Sequence, residues 1–413
     1  MIPILIGRSP FAYEEHRLQT LRCNACGAIF EPKLPAEIPK TGHSMPSAQA
    51  ALTVFHYKIG TPFASISDFQ KMFYQNISVS QLWDVIEHAA RAIDPVYREL
   101  EKQAANSKLF YTDDTTARIL SHYPQNKENR MKKRRKKEPD DRVGTYSSVI
   151  IGDTLDNHEI FLFYHGRKYA GENLAKVLLS RSEFLKAPIQ MKDASTMNVP
   201  ADAEVIEAKC NAHAIRKFKD IKELYPKWCE EVLRRYKEVS DNDQKLLKGG
   251  VSDGERFSYH KEHSLPLMEE IKDYLKGLIE NKLVEPNSSL GQAINYFCMH
   301  YKELTAFCHI EGAPFDNNKS ERGLKMIIRL RKTSMFYKTE RGGEIAGKLQ
   351  SVLYTAQEAG VNVLTYLETI LENSEKVRQS PADFLPWTLQ RSMNECEKET
   401  HLEAEIEAVL CGA

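Results

Sequence analysis

All the strand-forming sequence in this chain is confined to one window, which is flanked on both sides by helical sequence. Segments 109–115, 145–152, 160–164, 188–192 and 204–208 are short, rich in β-branched and aromatic residues, and bounded by turn formers. Helical periodicity occupies 46–57, 65–73 and 80–93 before them, 174–185 and 212–224 among them, and nearly everything from 225 to 310. Further helices are expected at 318–336, 343–359 and 364–371. A sheet of this kind, interrupted by helices and followed by a long helical stretch, predicts a mixed α/β fold.

The domain expectations follow that pattern. Residues 1–42 form a segment with a Cys-x-x-Cys knuckle, and 45–106 a helical region. Residues 107–224 form the first part of an α/β core, 225–312 an all-helical insertion, 313–375 the closing helices of the core and 376–413 a tail. Within 45–106 two amphipathic helices surround the short turn 74–79, and Ser78 or Ser80 supplies a start signal for the second. That spacing suggests a DNA-reading helix-turn-helix.

Charge needs reading by segment. The 57 basic and 57 acidic residues cancel, but 127–137 holds eight Lys or Arg against one Glu, 322–332 is basic, and the C-terminal tail is acidic. Basic stretches make local DNA contact feasible despite the neutral sum. No apolar run reaches the roughly 18 residues of a membrane helix, and the N-terminus does not read as a signal peptide. Eight scattered cysteines fit a reduced, intracellular chain.

Two features carry chemistry. Asp113 ends the first strand, Asp193 closes a later one, and Glu321 begins a helix after the helical insertion. Acids from three distant segments, gathered by a sheet, suit a pair of hard divalent cations about 3.5–4 Å apart. That element order matches an RNase H-like core with a helical insertion before its last acid. The second feature is Cys23-Asn24-Ala25-Cys26-Gly27, a zinc knuckle with two of the four ligands that a tetrahedral site takes.

The bland alternatives are concrete. Asp113 and Asp114 would also suit a strand end and turn, and Asp316 a turn. Asn318 would suit a helix cap with Glu321 at its third position. Cys210 is better read as a core thiol than as half a zinc site. His213 and Arg216, three apart on one helix face, would orient either a phosphate or a neighbouring acid. Arg322, Lys325, Arg329, Arg331 and Lys332 would either neutralise DNA phosphates or form a solvated face.

Taken in order, these residues resemble the DDE transposases of the insertion-sequence-66 family. The resemblance rests on Tyr111-Thr112-Asp113-Asp114-Thr115, on Cys210-Asn211-Ala212-His213-Ala214-Ile215-Arg216-Lys217-Phe218, and on Pro314-Phe315-Asp316-Asn317-Asn318-Lys319-Ser320-Glu321-Arg322. Arg331-Lys332-Thr333, Phe336, Gly342-Gly343 and Leu385-Pro386-Trp387 continue it, so that it covers about residues 20–390. It implies Asp113, Asp193 and Glu321 as ligands of two Mg2+ or Mn2+ ions. It also implies DNA cleavage and strand transfer at the terminal inverted repeats of a bacterial insertion sequence. Asp114 stands where the family has Glu, which leaves Asp113 and Asp114 both open as first ligand. Asp193 lies in a partial match, with Asp202 as the alternative.

The resemblance further implies a homo-oligomer on DNA, small accessory proteins from the same element, and a cytoplasmic, nucleoid-associated location. The family carries a further Cys-x-x-Cys pair upstream, so a member shortened at its N-terminus is expected, with zinc at Cys23 and Cys26 in question. A DNA-binding regulator without catalysis, or a nuclease that cuts without joining, are the alternative functions.

Overall fold

The computed structural model describes residues 10–12, 14, 17–33, 44–126 and 142–391. The basic run 127–137 and the acidic tail beyond 391 lie outside the described residues. The protein falls into two compact units that do not follow chain order. One comprises Met1–Leu100, Arg118–Ser121 and Met326–Ala413, the other Glu101–Ala117 and His122–Lys325.

The first unit opens with a minimal hairpin, β1 (Leu21–Arg22) and β2 (Ile29–Phe30), which pair antiparallel. Helices α1 (Pro46–Thr53), α2 (Phe63–Met72) and α3 (Val79–Ala104) follow. Pro46 at the start of α1 and Pro62 just before α2 suit helix entry, where a missing N–H costs nothing. The α3 stripe Leu82, Ile86, Ala89, Ile93, Val96 and Leu100 recurs every three or four residues and is buried throughout. On its other side, acids of α3 meet bases from late in the chain: Glu87 binds Arg341 at 2.9 Å and Asp94 binds Lys348 at 2.5 Å.

The second unit is built on a five-stranded sheet whose order is β5-β4-β3-β6-β7. Strands β3 (Leu109–Thr116), β4 (Tyr146–Asp153) and β5 (Glu159–Gly166) form an antiparallel meander. Helix α4 (Ala170–Leu178) then carries the chain to β6 (Ile189–Lys192), which pairs parallel with β3, and β7 (Ile206–Lys209) pairs parallel with β6. Val149, Ile150, Ile151, Ile160, Leu162 and Phe163 are all buried. Continuous apolar runs are what strands covered on both faces require.

After β7 come α5 (Asn211–Lys219) and a run of helices: α6 (Pro226–Gly249), α7 (Asp253–Tyr259), α8 (Leu265–Glu280), α9 (Ser289–Met299), α10 (Tyr301–Leu304) and α11 (Ala306–His309). They share a core in which Phe218, Tyr236, Met268, Leu275, Phe297 and Phe307 are buried. Inside it Asp243 accepts from Arg256 Nη2 at 2.6 Å and lies 3.2 Å from His260 Nε2. Burial alone would raise the Asp243 carboxyl, but the His260 and Arg256 hydrogen bonds outweigh it and hold it below the ordinary value.

Helix α12 (Asn318–Ser334) follows, then α13 (Glu340–Glu358), α14 (Val363–Glu372) and α15 (Ser374–Gln379). Among the described residues, no helix is long and apolar enough to cross a membrane.

Three helices differ from their sequence reading: the one expected at 80–93 runs on to Ala104, the one expected at 212–224 ends at Lys219, and α4 is shifted at both ends. The apolar spacing predicts 174–185, whereas α4 spans Ala170–Leu178. Its start is fixed by polar groups: Glu172 Oε2 accepts from Tyr169 N at 2.9 Å and Asp114 Oδ2 from Ala170 N at 2.8 Å. Leu179 and Phe184, which made the pattern look longer, are exposed at 83% and 99%.

Candidate active site

The β3–β6 register explains how two distant acids meet. Leu109 pairs with Ile189, Phe110 with Gln190 and Tyr111 with Met191, so continuing two residues sets Asp113 beside Asp193. Side chains alternate along a strand, which sends Asp113 and Asp114 to opposite faces of β3. Asp114 is engaged at the start of α4, where its Oδ2 accepts from Ala170 N at 2.8 Å. Asp113 Oδ1 accepts the local N–H of Asp114, at 2.8 Å.

Electrostatics distinguishes the two in the same way. Burial pushes the Asp113 carboxyl up to about 7, against the pull of the Asp114 N–H, and the negative charges of Asp193, Asp114 and Glu321 add to the rise. Burial pushes Asp114 up to about 6, and there the neighbouring acids are Asp193 and Glu172. Asp202 is exposed, in the bend before β7.

Asp193 is held by its own loop: its Oδ1 accepts from Ser195 N at 2.9 Å and from Asn198 Nδ2 at 3.0 Å. Beneath it, Lys192 is 1% exposed, donates to Ser195 O at 3.1 Å and pairs with Glu207 at 3.2 Å. Burial lowers its affinity for a proton, and Glu207 opposes that.

Glu321 rides on the first turns of α12, which are pinned to the sheet at several points. Lys319 Nζ reaches Asp153 at 2.8 Å and Glu159 at 2.7 Å. A Cβ on Gly323 would stand 3.1 Å from Val149 Cγ2, so the helix lies close against β4. Asn317, fully buried, donates from Nδ2 to Thr112 O at 3.0 Å, one residue from Asp113. The helix begins one residue from where the capping-box reading requires. Asn318 is its first residue, and Asp316 accepts from Asn318 N at 3.0 Å, so Glu321 is the fourth position rather than the third. Asp316 acts as the turn residue.

The Cys210 segment ties into the same place. Cys210 Sγ accepts from Asn317 N at 3.2 Å, and burial pushes its thiol up to about 11. It is a core thiol, as its apolar surroundings predict. Asn211 Nδ2 donates to Leu304 O at 2.9 Å and Phe315 O at 3.0 Å, joining the C-terminal end of the helical run to the end of β7. Sequence reasoning assigned no role to Asn198, Asn211, Asn317 or Lys192. Two of them stand inside quoted motifs, yet their partners lie up to 205 residues away.

His213 and Arg216 line an open cleft of about 410 Å3 beside Asp193, together with Lys217 and Tyr296. Arg322 and Lys325 are exposed on the first half of α12. In the other unit Arg329 and Lys332 are exposed and Arg331 is half-buried. Cys23 and Cys26 sit on the turn between β1 and β2, where the N–H groups of Cys26 and then Ala25 hold the Cys23 thiol below its ordinary value.

Carboxylate oxygens are the donors a hard divalent cation takes, and a cation among Asp113, Asp193 and Glu321 would relieve their mutual repulsion. In that chemical sense the residues fit. Among the described residues, however, no three His, Cys, Asp or Glu side chains lie close enough together to hold a metal as they stand, whether at these acids or at the cysteine knuckle.

The model of the family described as Transposase IS66 family matches residues 42–345. The uncharacterized protein y4hP of Sinorhizobium fredii is 23% identical over 396 residues, covering 90% of this chain and 67% of its own length. The uncharacterized protein y4jD of the same organism is 31% identical over 186 residues, which is 44% of this chain and 35% of that protein.

Proposed function

Because the chain belongs to the IS66 transposase family, we propose that it is a DNA transposase that cuts and joins phosphodiesters with Asp113, Asp193 and Glu321. The observation that carries this is geometric: the parallel register of β3 and β6 brings Asp193 beside Asp113 across 80 residues of chain, and Asn317 ties the start of the Glu321 helix to Thr112 O. Strand order β5-β4-β3-β6-β7, with β3 to β5 antiparallel and β6 and β7 parallel, supports an RNase H-like core interrupted by a helical insertion.

Asp113, Asp193 and Glu321 would hold two Mg2+ or Mn2+ ions. When bound, such ions activate an attacking oxygen and stabilise the leaving one. The chain's own part is positioning. Asn198 and Ser195 fix the Asp193 carboxylate, Asn317 ties the start of α12 to the strand of Asp113, and Lys319 and Gly323 seat Glu321 against the sheet. His213 and Arg216 would orient the phosphate, and Arg322, Lys325, Arg329, Arg331 and Lys332 would neutralise the DNA backbone. The helices α2 and α3 would read the terminal repeats. A homo-oligomer on DNA, with accessory proteins of the same element, completes the reading, in a nucleoid-associated cytoplasmic setting. Zinc at Cys23 and Cys26 would need two further ligands.

The test is cleavage and strand transfer, with manganese, on DNA carrying the ends of the element that encodes the chain. Native protein should cut and join. Asp113→Asn, Asp193→Asn and Glu321→Gln should each lose at least 100-fold while still binding the ends. Full activity in any of the three would overturn the assignment. Binding without any reaction by the native chain would favour a regulator, and cutting without joining a nuclease.

A further inference from the structure

The cleft is walled by the Asp193–Ser195 loop, by helix α5 with the Asp220 carboxylate just beyond it, and by one helix of the helical run. Helix α5 contributes His213, Arg216 and Lys217, and α9 of the helical run contributes Tyr296. At about 410 Å3 it is at the small end of ligand pockets, which span roughly 300–1,000 Å3. It therefore suits one small unit and not a double helix.

Its lining is mixed in a specific way. Arg216 and Lys217 are exposed cations, and Lys217 Nζ stands 4.5 Å from the centre of the Tyr296 ring. The Nδ1 atom of His213 is buried and has no hydrogen-bond partner among the described residues. A buried polar atom without a partner is uncommon and points to a missing one. Cation and aromatic face are two groups that a nucleotide uses, phosphate on the cation and base on the ring.

We propose that this cleft receives a single unstacked nucleotide of the DNA strand next to the scissile phosphate, with Tyr296 as its stacking platform. The inference rests on the transposase reading and deepens it by giving the helical insertion a direct contact with substrate. Arg216 and Lys217 would hold the flanking phosphate. Lys217 would turn from the ring to that phosphate, leaving the ring to the base. Unstacking a base from a duplex is unfavourable, and a sequence-tolerant aromatic platform offsets that cost.

The experiment measures binding of the full chain, in EDTA, to fluorescent duplexes that differ at one position: fully paired, with one bulged 2-aminopurine nucleotide, or with one bulged abasic residue. The bulged base should bind tighter than the paired duplex and be unstacked from its neighbours in the complex. Tyr296→Leu should lose about tenfold on the bulged base alone. Tyr296→Phe should retain it, and Lys217→Gln, at an exposed position, should weaken bulge binding without touching the core. Equal binding of all three duplexes, or equal weakening of all by Tyr296→Leu, would overturn the pocket while leaving DNA binding intact. Failure to bind any duplex would overturn the transposase reading and the pocket together.

Discussion

Asn317 illustrates how much of the site depends on residues without chemistry of their own. Its side-chain amide is the link between the helix of Glu321 and the strand of Asp113. Asn317→Ala would leave the Thr112 carbonyl without that donor, and stability should fall by about 1–3 kcal/mol. A urea titration checks this, and a change within 0.5 kcal/mol would sink the idea. His56 gives a pH test. It is buried, stacked on Phe63 at 3.8 Å between ring centres, with Nδ1 2.8 Å from Thr61 O. Burial pushes its pKa down to about 4 from the ordinary 6.5. Below pH 6.5 the unfolded chain takes up a proton that the folded chain refuses. Stability should therefore be constant above about 6.5 and fall progressively toward pH 4, by about 3 kcal/mol for this one group. Thermal melts of native protein and His56→Gln across that range should differ in slope. Such residues are nearly invisible in sequence. An Asn beside a motif looks like a turn former, and nothing local announces a carbonyl 205 residues earlier. Asp193 and Glu321 could be proposed from sequence because one follows a strand and the other lies in an ordered motif, whereas Asp113, expected to end its strand, stands inside β3, which runs on to Thr116.

At the level of elements, the strands were legible and the polar starts were not. Runs such as Val149-Ile150-Ile151 can serve only as buried segments of regular structure, and they lie within a residue or two of where their pattern sets them. Helix α4 was shifted because its boundary depends on Asp114 and Glu172, while Leu179 and Phe184 imitate an apolar stripe and face water. Gly171 on that helix supplies a sharper test. A Cβ there would stand 2.5 Å from Val199 O and 2.7 Å from Met197 O. Backbone atoms cannot swing aside, so Gly171→Ala should move the short turn that holds Asn198. The expected loss is about 1–3 kcal/mol, together with a drop in strand transfer larger than the stability change explains, because Asn198 orients Asp193. Native melting temperature in this variant would refute the crowding argument.

For the molecule as a whole, the balance of 57 basic and 57 acidic residues predicts nothing about DNA, yet affinity should still fall steeply with salt. Each phosphate neutralised contributes roughly −0.9 to the slope of log affinity against log salt, so Arg322→Gln or Lys325→Gln should flatten that slope by about 1. An unchanged slope would remove these two from the interface. The division into two units was not legible, because it joins the N-terminal helices to the chain after Met326 and so depends on contacts that no local pattern carries. The distance along the chain between Asp113 and Glu321 also has a consequence in time. At ribosomal speeds of about 5–20 residues per second, the last acid emerges roughly 10–40 s after the first. Through that interval the nascent chain holds first one and then two of the three carboxylates, and a message broken between codons 209 and 321 would encode every strand of the five-stranded sheet but not the third acid. If the proposed DNA cleavage is this chain's activity, finishing the chain becomes its safety catch.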